Sequence, residues 1–211
     1  MSEQTETLNE EIHTESEEKT SGKDIARMKR IGGWHATAVA AAIGLWGATS
    51  YWAVESGLLI AHLAALGIAF ASATVMASIL HEWGHFSGAK LSGARAPVLA
   101  KPARLYFMFN FDMERNTPEQ FIAMSIGGIS ANWLLVLLLL LLVPLESLAA
   151  AMLVAVAIAK AVNVSFFEVP IVMQVREGGD PQAVLDERLE NYGLKQLPGY
   201  IVGALAFLTF T

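Results

Sequence analysis

Five long stretches of apolar residues constrain the fold of this chain more than any other feature. A helix needs about 20 predominantly apolar residues to cross a bilayer. Lipid offers the backbone no hydrogen-bond partners, so only α-helices and closed β-barrels can span it, and no alternating ten-residue pattern indicates a barrel. We therefore predict an all-α polytopic membrane protein with about five transmembrane segments, which lie at about residues 34–54, 57–90, 120–145, 147–175 and 197–211.

The composition agrees with this prediction and separates a polar tail from the rest of the chain. Of the 211 residues, 54% are hydrophobic, and the first eighteen include seven glutamates but no lysine or arginine. Such a segment has too few apolar residues to fold alone. We predict a disordered acidic tail at residues 1–22 and a membrane-embedded domain at residues 23–211. The absence of cysteine excludes disulfides and thiolate metal ligands, and nothing predicts nucleic-acid binding.

Basic residues cluster at one end of the predicted spans. They precede the first span and follow the second, at Lys23, Arg27, Lys29, Arg30, Lys90, Arg95, Lys101 and Arg104. The positive-inside rule therefore predicts a multi-pass protein with its N-terminus in the cytoplasm, in the plasma or inner membrane if the source is bacterial. The segments "HEWGH" (81–85) and "REGGDP" (176–181) then both lie on the cytoplasmic side.

The segment "HEWGH" has the spacing of a metal site. His81 and His85 are four residues apart and therefore share one face of a helix. Glu82 lies about 100° further around, where its carboxylate can reach a water molecule at the metal without being a ligand. This is the HExxH pattern of two zinc ligands and a general base. Ionisable residues within membrane segments are rare and usually functional, which favours a zinc site over a structural cluster.

Two motifs in this order resemble those of the site-2 protease family, which are intramembrane zinc metalloproteases. "HEWGHFSGAKLSG" resembles the metal-binding helix of the family, and "SIGGISANWLL" (125–135) resembles its Gly-Pro-x-x-Asn segment. Gly128 and Asn132 match that segment, whereas Ile129 replaces the usual proline. The resemblance covers about residues 77–181. It implies that Asn132 helps to bind the substrate or to stabilise an oxyanion.

The family's third motif implies an aspartate as the third zinc ligand. The candidate segment, "NVSFFEVPIVMQVREGGDP", contains Asn163, Pro170 and Asp180 in an altered spacing. We favour Asp180 as the ligand and keep Asn163 as a residue for substrate or oxyanion binding. Glu168 is the rival ligand, since it lies deeper in the span before a helix-breaking proline. Asp180 could instead be the N-cap of a helix that starts at Pro181.

Two further features have both a functional and a structural interpretation. Lys160 could line an active-site cavity together with Asn163 and Glu168, or it could pair with an acid between helices. The aromatic-rich loop at 94–118 predicts a short membrane-associated hairpin with partial strand character. This hairpin could bind an unwound substrate by strand addition, as the family resemblance implies, or anchor the protein at the lipid headgroups.

The resemblance implies a zinc endopeptidase with one Zn²⁺ ion that cleaves single-span membrane proteins within the bilayer, near its cytoplasmic face. One alternative is a zinc-binding membrane scaffold without protease activity, although the presence of Glu82 argues against it. Another is a transporter with a histidine-lined path, for which the sequence shows no inverted repeat.

Overall fold

The computed structural model describes residues 3–103, 106–190 and 192–211, with side chains described from Gly22 onward except at 102, 103 and 107. The elements in chain order are α1 (Glu3–Ser56), α2 (Leu59–Leu91), β1 (Val98–Ala103), β2 (Phe107–Phe109), α3 (Pro118–Leu142), α4 (Leu148–Arg176), α5 (Pro181–Leu189), α6 (Tyr192–Lys195) and α7 (Leu197–Phe210). The all-α prediction is confirmed, and β1 and β2 form a short hairpin within the loop for which one was predicted. The side chains of residues 1–21, in the predicted disordered tail, lie outside the described part of the chain.

Three helices, α2, α3 and α4, are long and apolar enough to cross a membrane. The prediction of about five spans is therefore not confirmed, since three such helices are found among the described residues. The segment 34–54 lies in α1, which is not one of the three, and α7 has only 14 residues, fewer than the roughly 20 that a span requires. The second half of α3 exposes large apolar side chains, at Leu134, Leu137, Leu138, Leu140, Leu141 and Leu142.

Local signals fix where α2 ends and where α3 begins. Gly93 follows α2 with a φ of +74°, a conformation that glycine adopts without steric cost. Thr117 starts α3 with a capping box, in which its side chain accepts from the Gln120 backbone N–H and its own N–H donates to the Gln120 side chain. Pro118 occupies the first helical position. These signals set the end of α2 and the start of α3, which are the ends of the two helices nearest to His85.

Helices α2 and α3 pack with their backbones in close approach. A Cβ atom on Gly84 would overlap the Gly127 carbonyl, and one on Gly88 would overlap the Ala123 carbonyl. The residue numbers rise along one helix as they fall along the other, so the helices are antiparallel. Small residues of this kind permit the close backbone approach that stabilises helix pairs in lipid.

Other faces of α2 pack against α1 and α4 through a stripe of buried alanines at every fourth position. These alanines are Ala61, Ala65, Ala69, Ala73 and Ala77. The Ser72 hydroxyl, also buried, donates to the Ala42 carbonyl at 2.8 Å and joins α2 to α1. Helix α2 is therefore in contact with α1, α3 and α4.

Helix α4 continues through Pro170, and the segment that follows compensates for this proline. Pro170 has no N–H, so the carbonyl of Phe166 loses its usual helical donor. Arg188 of α5 donates to that carbonyl at 2.6 Å, and the ring of Tyr192 lies 5.0 Å from that of Phe167 in an edge-on contact. The α5–α6 segment is thereby held against α4 next to Glu168.

The hairpin of β1 and β2 lies against the first helix. The strands are antiparallel, with Val98 paired to Phe109. Arg27 donates to the Val98 carbonyl at 3.0 Å and Arg30 donates to the Ala100 carbonyl, while Asp24 accepts from the Val98 N–H at 3.3 Å. Three side chains of α1 therefore cover the outer edge of β1.

The close approach of α2 and α3 predicts that one Gly→Ala change in α2 destabilises the protein and that another does not. We expect Gly84→Ala to lower the stability of the purified protein by about 1–3 kcal/mol, because its methyl group overlaps the α3 backbone. Gly67→Ala is the matched control, since nothing lies within 4 Å of its Cβ position. Thermal unfolding in detergent measures both, and equal unfolding temperatures for the two variants would contradict the packing described.

Candidate metal centre

Three side chains from α2 and α4 converge on one point. His81 and His85, on successive turns of α2, have their Nε2 atoms 2.9 Å apart. The Oε1 atom of Glu168, from α4, lies 3.2 Å from each of these nitrogens. Of the described residues, these three form the group of histidines and acids that could hold a metal ion.

The spacing of the three atoms fits a tetrahedral zinc ion. Ligands at about 2.0–2.1 Å from zinc lie about 3.3–3.4 Å from one another in a tetrahedron, close to the 2.9–3.2 Å observed. Glu168 is 8% exposed, and its Oε2 has no hydrogen-bond partner in the described chain. A buried carboxylate oxygen without a donor is costly unless a cation is near. Two histidines and a glutamate form a ligand set found in catalytic zinc sites.

His85 is held in the orientation that a metal ligand needs. Its Nδ1–H donates to the Met124 carbonyl of α3 at 2.9 Å, which leaves the lone pair of Nε2 directed at the centre. Gly128 lies on the ring, and a Cβ atom there would overlap it. The family resemblance gives no reason for a glycine at position 128. The packing does, because any larger side chain would overlap the His85 ring.

Asn132 orients the other histidine. It lies one turn after Gly128 on α3, is 2% exposed, and has its Nδ2 atom 2.9 Å from Nδ1 of His81. Its Nδ2 also donates to the Gly128 carbonyl at 3.2 Å. A carboxamide has a donor and an acceptor end. Its NH₂ end can donate a hydrogen bond to Nδ1, and its carbonyl end can accept a hydrogen bond from Nδ1–H when Nε2 binds a metal ion.

Glu82 lies beside the three converging residues without joining them. It is half-buried, and its Oε2 has no hydrogen-bond partner within the described residues. Glu82 lines the same cavity as His81. This is the position that the HExxH pattern predicts for a base, next to the ligands and open to a bound molecule.

A cavity of about 610 Å³ opens on this centre, within the usual range for ligand sites. Its walls come from α2, α3, α4 and the α6–α7 region, with Tyr106 of the hairpin turn at its border. The charged and amide side chains among its lining residues are His81, Glu82, Asn132, Lys160, Asn163 and Gln196. The sequence indicated the first five, and it indicated Tyr106 only as part of the aromatic-rich loop at 94–118. Nothing in it indicated Gln196.

The sequence favoured Asp180 as the third ligand, whereas the structure brings its rival Glu168 to the two histidines. Asp180 is exposed, and its Oδ1 accepts from the Ala183 N–H at 2.9 Å as the N-cap of α5. The N-cap alternative for Asp180 is confirmed. The physical reason is that Asp180 follows the end of α4, whereas Glu168 lies within the helix on the face toward α2.

Asn163 has a structural contact that the sequence did not predict. Its Oδ1 accepts from the Gly199 N–H at 2.9 Å and so joins α4 to the start of α7. It also lines the cavity, as its predicted role in substrate binding requires. Lys160 lines the cavity too, which agrees with the first of its two interpretations.

Comparisons with protein-family models, with curated proteins and with solved structures gave no match for this chain.

The geometry predicts which carboxylate holds zinc. We expect Glu168→Gln to lower zinc affinity by more than about 100-fold, since the loss of a supporting residue alone typically costs 10–100-fold. Asp180→Asn is the matched control and should retain zinc, because asparagine is an equally good N-cap. Zinc content after equilibration with a competing chelator measures both. Loss of zinc from the Asp180 variant alone would contradict this assignment.

The contact between Asn132 and His81 predicts a weaker but still measurable effect on metal affinity. We expect Asn132→Ala to reduce zinc affinity about 10–100-fold, because the His81 ring loses its orienting partner. Ser165→Ala, which removes a hydrogen bond to Trp133 further along the same helix pair, is the control for general loosening of α3 on α4. Equal zinc affinities for the two variants would show that Asn132 does not position His81.

Proposed function

We propose that this chain is an intramembrane zinc endopeptidase that cleaves transmembrane segments, similar in its chemistry to the site-2 protease family. The observation that supports the proposal best is the convergence of His81, His85 and Glu168 beside Glu82. This group borders a cavity lined in part by three helices that are apolar enough to span a membrane. An ionisable cluster at such a depth is costly unless it has a function.

The proposed arrangement in the membrane follows from the helices and the basic residues. Helices α2, α3 and α4 would span the bilayer, with the exposed leucines of α3 toward lipid. The N-terminal basic residues and the hairpin lie at one end, where Arg27 contacts the backbone of β1. By the positive-inside rule this end would face the cytoplasm, in the same leaflet as the metal centre.

The residues divide into those that hold zinc and those that act on water and substrate. His81, His85 and Glu168 would hold one zinc ion, which when bound lowers the pKa of a water molecule and polarises a carbonyl. Glu82 would take a proton from that water and deliver it to the departing amine. Asn132 would keep His81 in place and, since it also lines the cavity, could donate to the developing oxyanion.

A substrate helix must unwind before its peptide bonds can enter this cavity. The hairpin of β1 and β2 borders the cavity at Tyr106. An unwound segment could pair with this hairpin and satisfy its own backbone groups there. A cavity of this kind favours single-span membrane proteins as substrates, with cleavage near the cytoplasmic face.

This proposal predicts that peptide cleavage and zinc binding can be separated at one residue. We expect Glu82→Gln to abolish cleavage of tagged single-span peptides by the purified protein in detergent, because a carboxamide cannot accept the proton. The variant should retain about one zinc ion per chain, since Glu82 is not a ligand. Glu146→Gln, at the opposite end of the bundle near Ser147 and His62, is the control and should cleave normally.

The non-proteolytic zinc scaffold remains as the outcome that would contradict this prediction. If the unmodified protein and the Glu82 variant both hold zinc and neither cleaves any peptide of the panel, the scaffold is favoured over the protease.

A further inference from the structure

A lysine lies in the same cavity, within a helix that is apolar enough to span the membrane. Lys160 is near the middle of α4, is half-buried, and lines the cavity with His81, Glu82 and Asn132. Among the described residues, its ammonium group has no hydrogen bond, ion pair or ring contact. Its side chain borders the cavity instead.

An ammonium group within an apolar helix is costly unless water or a negative charge reaches it. Charged residues within membrane segments almost always pair with another group or mark a substrate path. The two carboxylates nearest the centre are already assigned. Glu168 contacts both histidines at 3.2 Å, and Glu82 has the role of the base. None of the described residues pairs a negative charge with Lys160, so a molecule that enters the cavity can supply one.

We propose that Lys160 binds a carboxylate of the substrate polypeptide and so selects the segment that is cleaved. This inference rests on the proposed function, since it names a substrate class for the same cavity. The carboxylate could belong to an aspartate or glutamate side chain or to a free C-terminus. In either case Lys160 is a specificity-determining residue and not one that takes part in the chemistry.

The helix geometry limits where this carboxylate lies relative to the cleaved bond. Lys160 precedes Glu168 by eight residues on α4, which corresponds to about 12 Å along the helix axis at 1.5 Å per residue. An extended peptide advances about 3.3 Å per residue. Allowing for the length of the lysine side chain, the acidic residue lies about two to four residues from the cleaved bond. This acidic residue lies on the side of the cleaved bond that faces the N-terminal half of α4.

The environment gives this ion pair a selective effect. A carboxylate on a transmembrane segment is costly in lipid. Moving that segment from lipid into a cavity that contains an ammonium group therefore lowers its free energy. A neutral segment of the same shape gains nothing from Lys160 and leaves the ammonium group unpaired. The pair therefore discriminates between substrates through binding as well as through cleavage.

The test measures binding separately from cleavage. Labelled single-span peptides with aspartate, asparagine or lysine at each of five positions are titrated against the Glu82→Gln protein, which binds without cleaving. A parallel pair has a free or an amidated C-terminus at the same depth. We expect one aspartate peptide, or the free C-terminus, to bind at least about tenfold more tightly than its neutral partner.

Substitutions of Lys160 in the Glu82→Gln protein then show whether Lys160 causes this binding preference. Lys160→Met should abolish it, Lys160→Arg should retain it, and Lys160→Glu should transfer it to the lysine peptide. Zinc content and unfolding temperature show whether each variant is folded, and the arginine variant provides a second, charge-conserving test. No preference for any acidic peptide, or a preference that survives Lys160→Met, would overturn the inference. Cleavage is not required for either readout, so failure here is distinct from failure of the proposed protease activity.

Discussion

The close backbone approach of α2 and α3 is the constraint on which the candidate metal centre depends. With no side chains between Gly84 and Gly127, the start of α3 lies directly on the histidine face of α2. Two contacts one helical turn apart then match two histidines one turn apart. Gly128 makes room for the ring of His85, and Asn132 hydrogen-bonds to His81. The same packing that stabilises helices in lipid therefore also orients both imidazoles before any metal ion binds.

The carboxylate of the candidate centre, Glu168, depends on a second arrangement, around the proline of α4. Pro170 removes a hydrogen bond within the helix, and Arg188 replaces it by donating to the freed carbonyl of Phe166. This contact holds α5 over the part of α4 that includes Glu168. The α5–α6 segment also brings Tyr192 to the cavity. The α5–α6 segment thus closes one side of the cavity and supports α4 where it carries Glu168.

The sequence predicted the helical class and the HExxH spacing because each depends on the pattern within one segment. Gly128 and Asn132 were singled out only by the family resemblance, and their contacts with His85 and His81 were not predicted. The sequence did not determine which acid completes the centre, since that depends on how α4 faces α2. Asp180 has the family's residue type but caps α5, whereas Glu168 has the correct face. The prediction of about five spans is not confirmed: in the described part of the chain, three helices are long and apolar enough to cross a membrane. The apolar segment 34–54 lies in the long helix α1, and 197–211 contains the 14-residue helix α7.

The central claim is that two histidines and Glu168 together bind zinc, and X-ray absorption at the zinc edge tests it most directly. The chain has no cysteine, so no thiolate can bind the ion, and the three side chains of the candidate centre offer only nitrogen and oxygen. The purified protein, loaded with about one zinc ion, should show two imidazoles and a carboxylate oxygen at about 2.0–2.2 Å. Glu168→Gln should lose the carboxylate contribution, and Asp180→Asn should leave the spectrum unchanged. A spectrum without imidazole, or one that Glu168→Gln does not alter, would contradict the account.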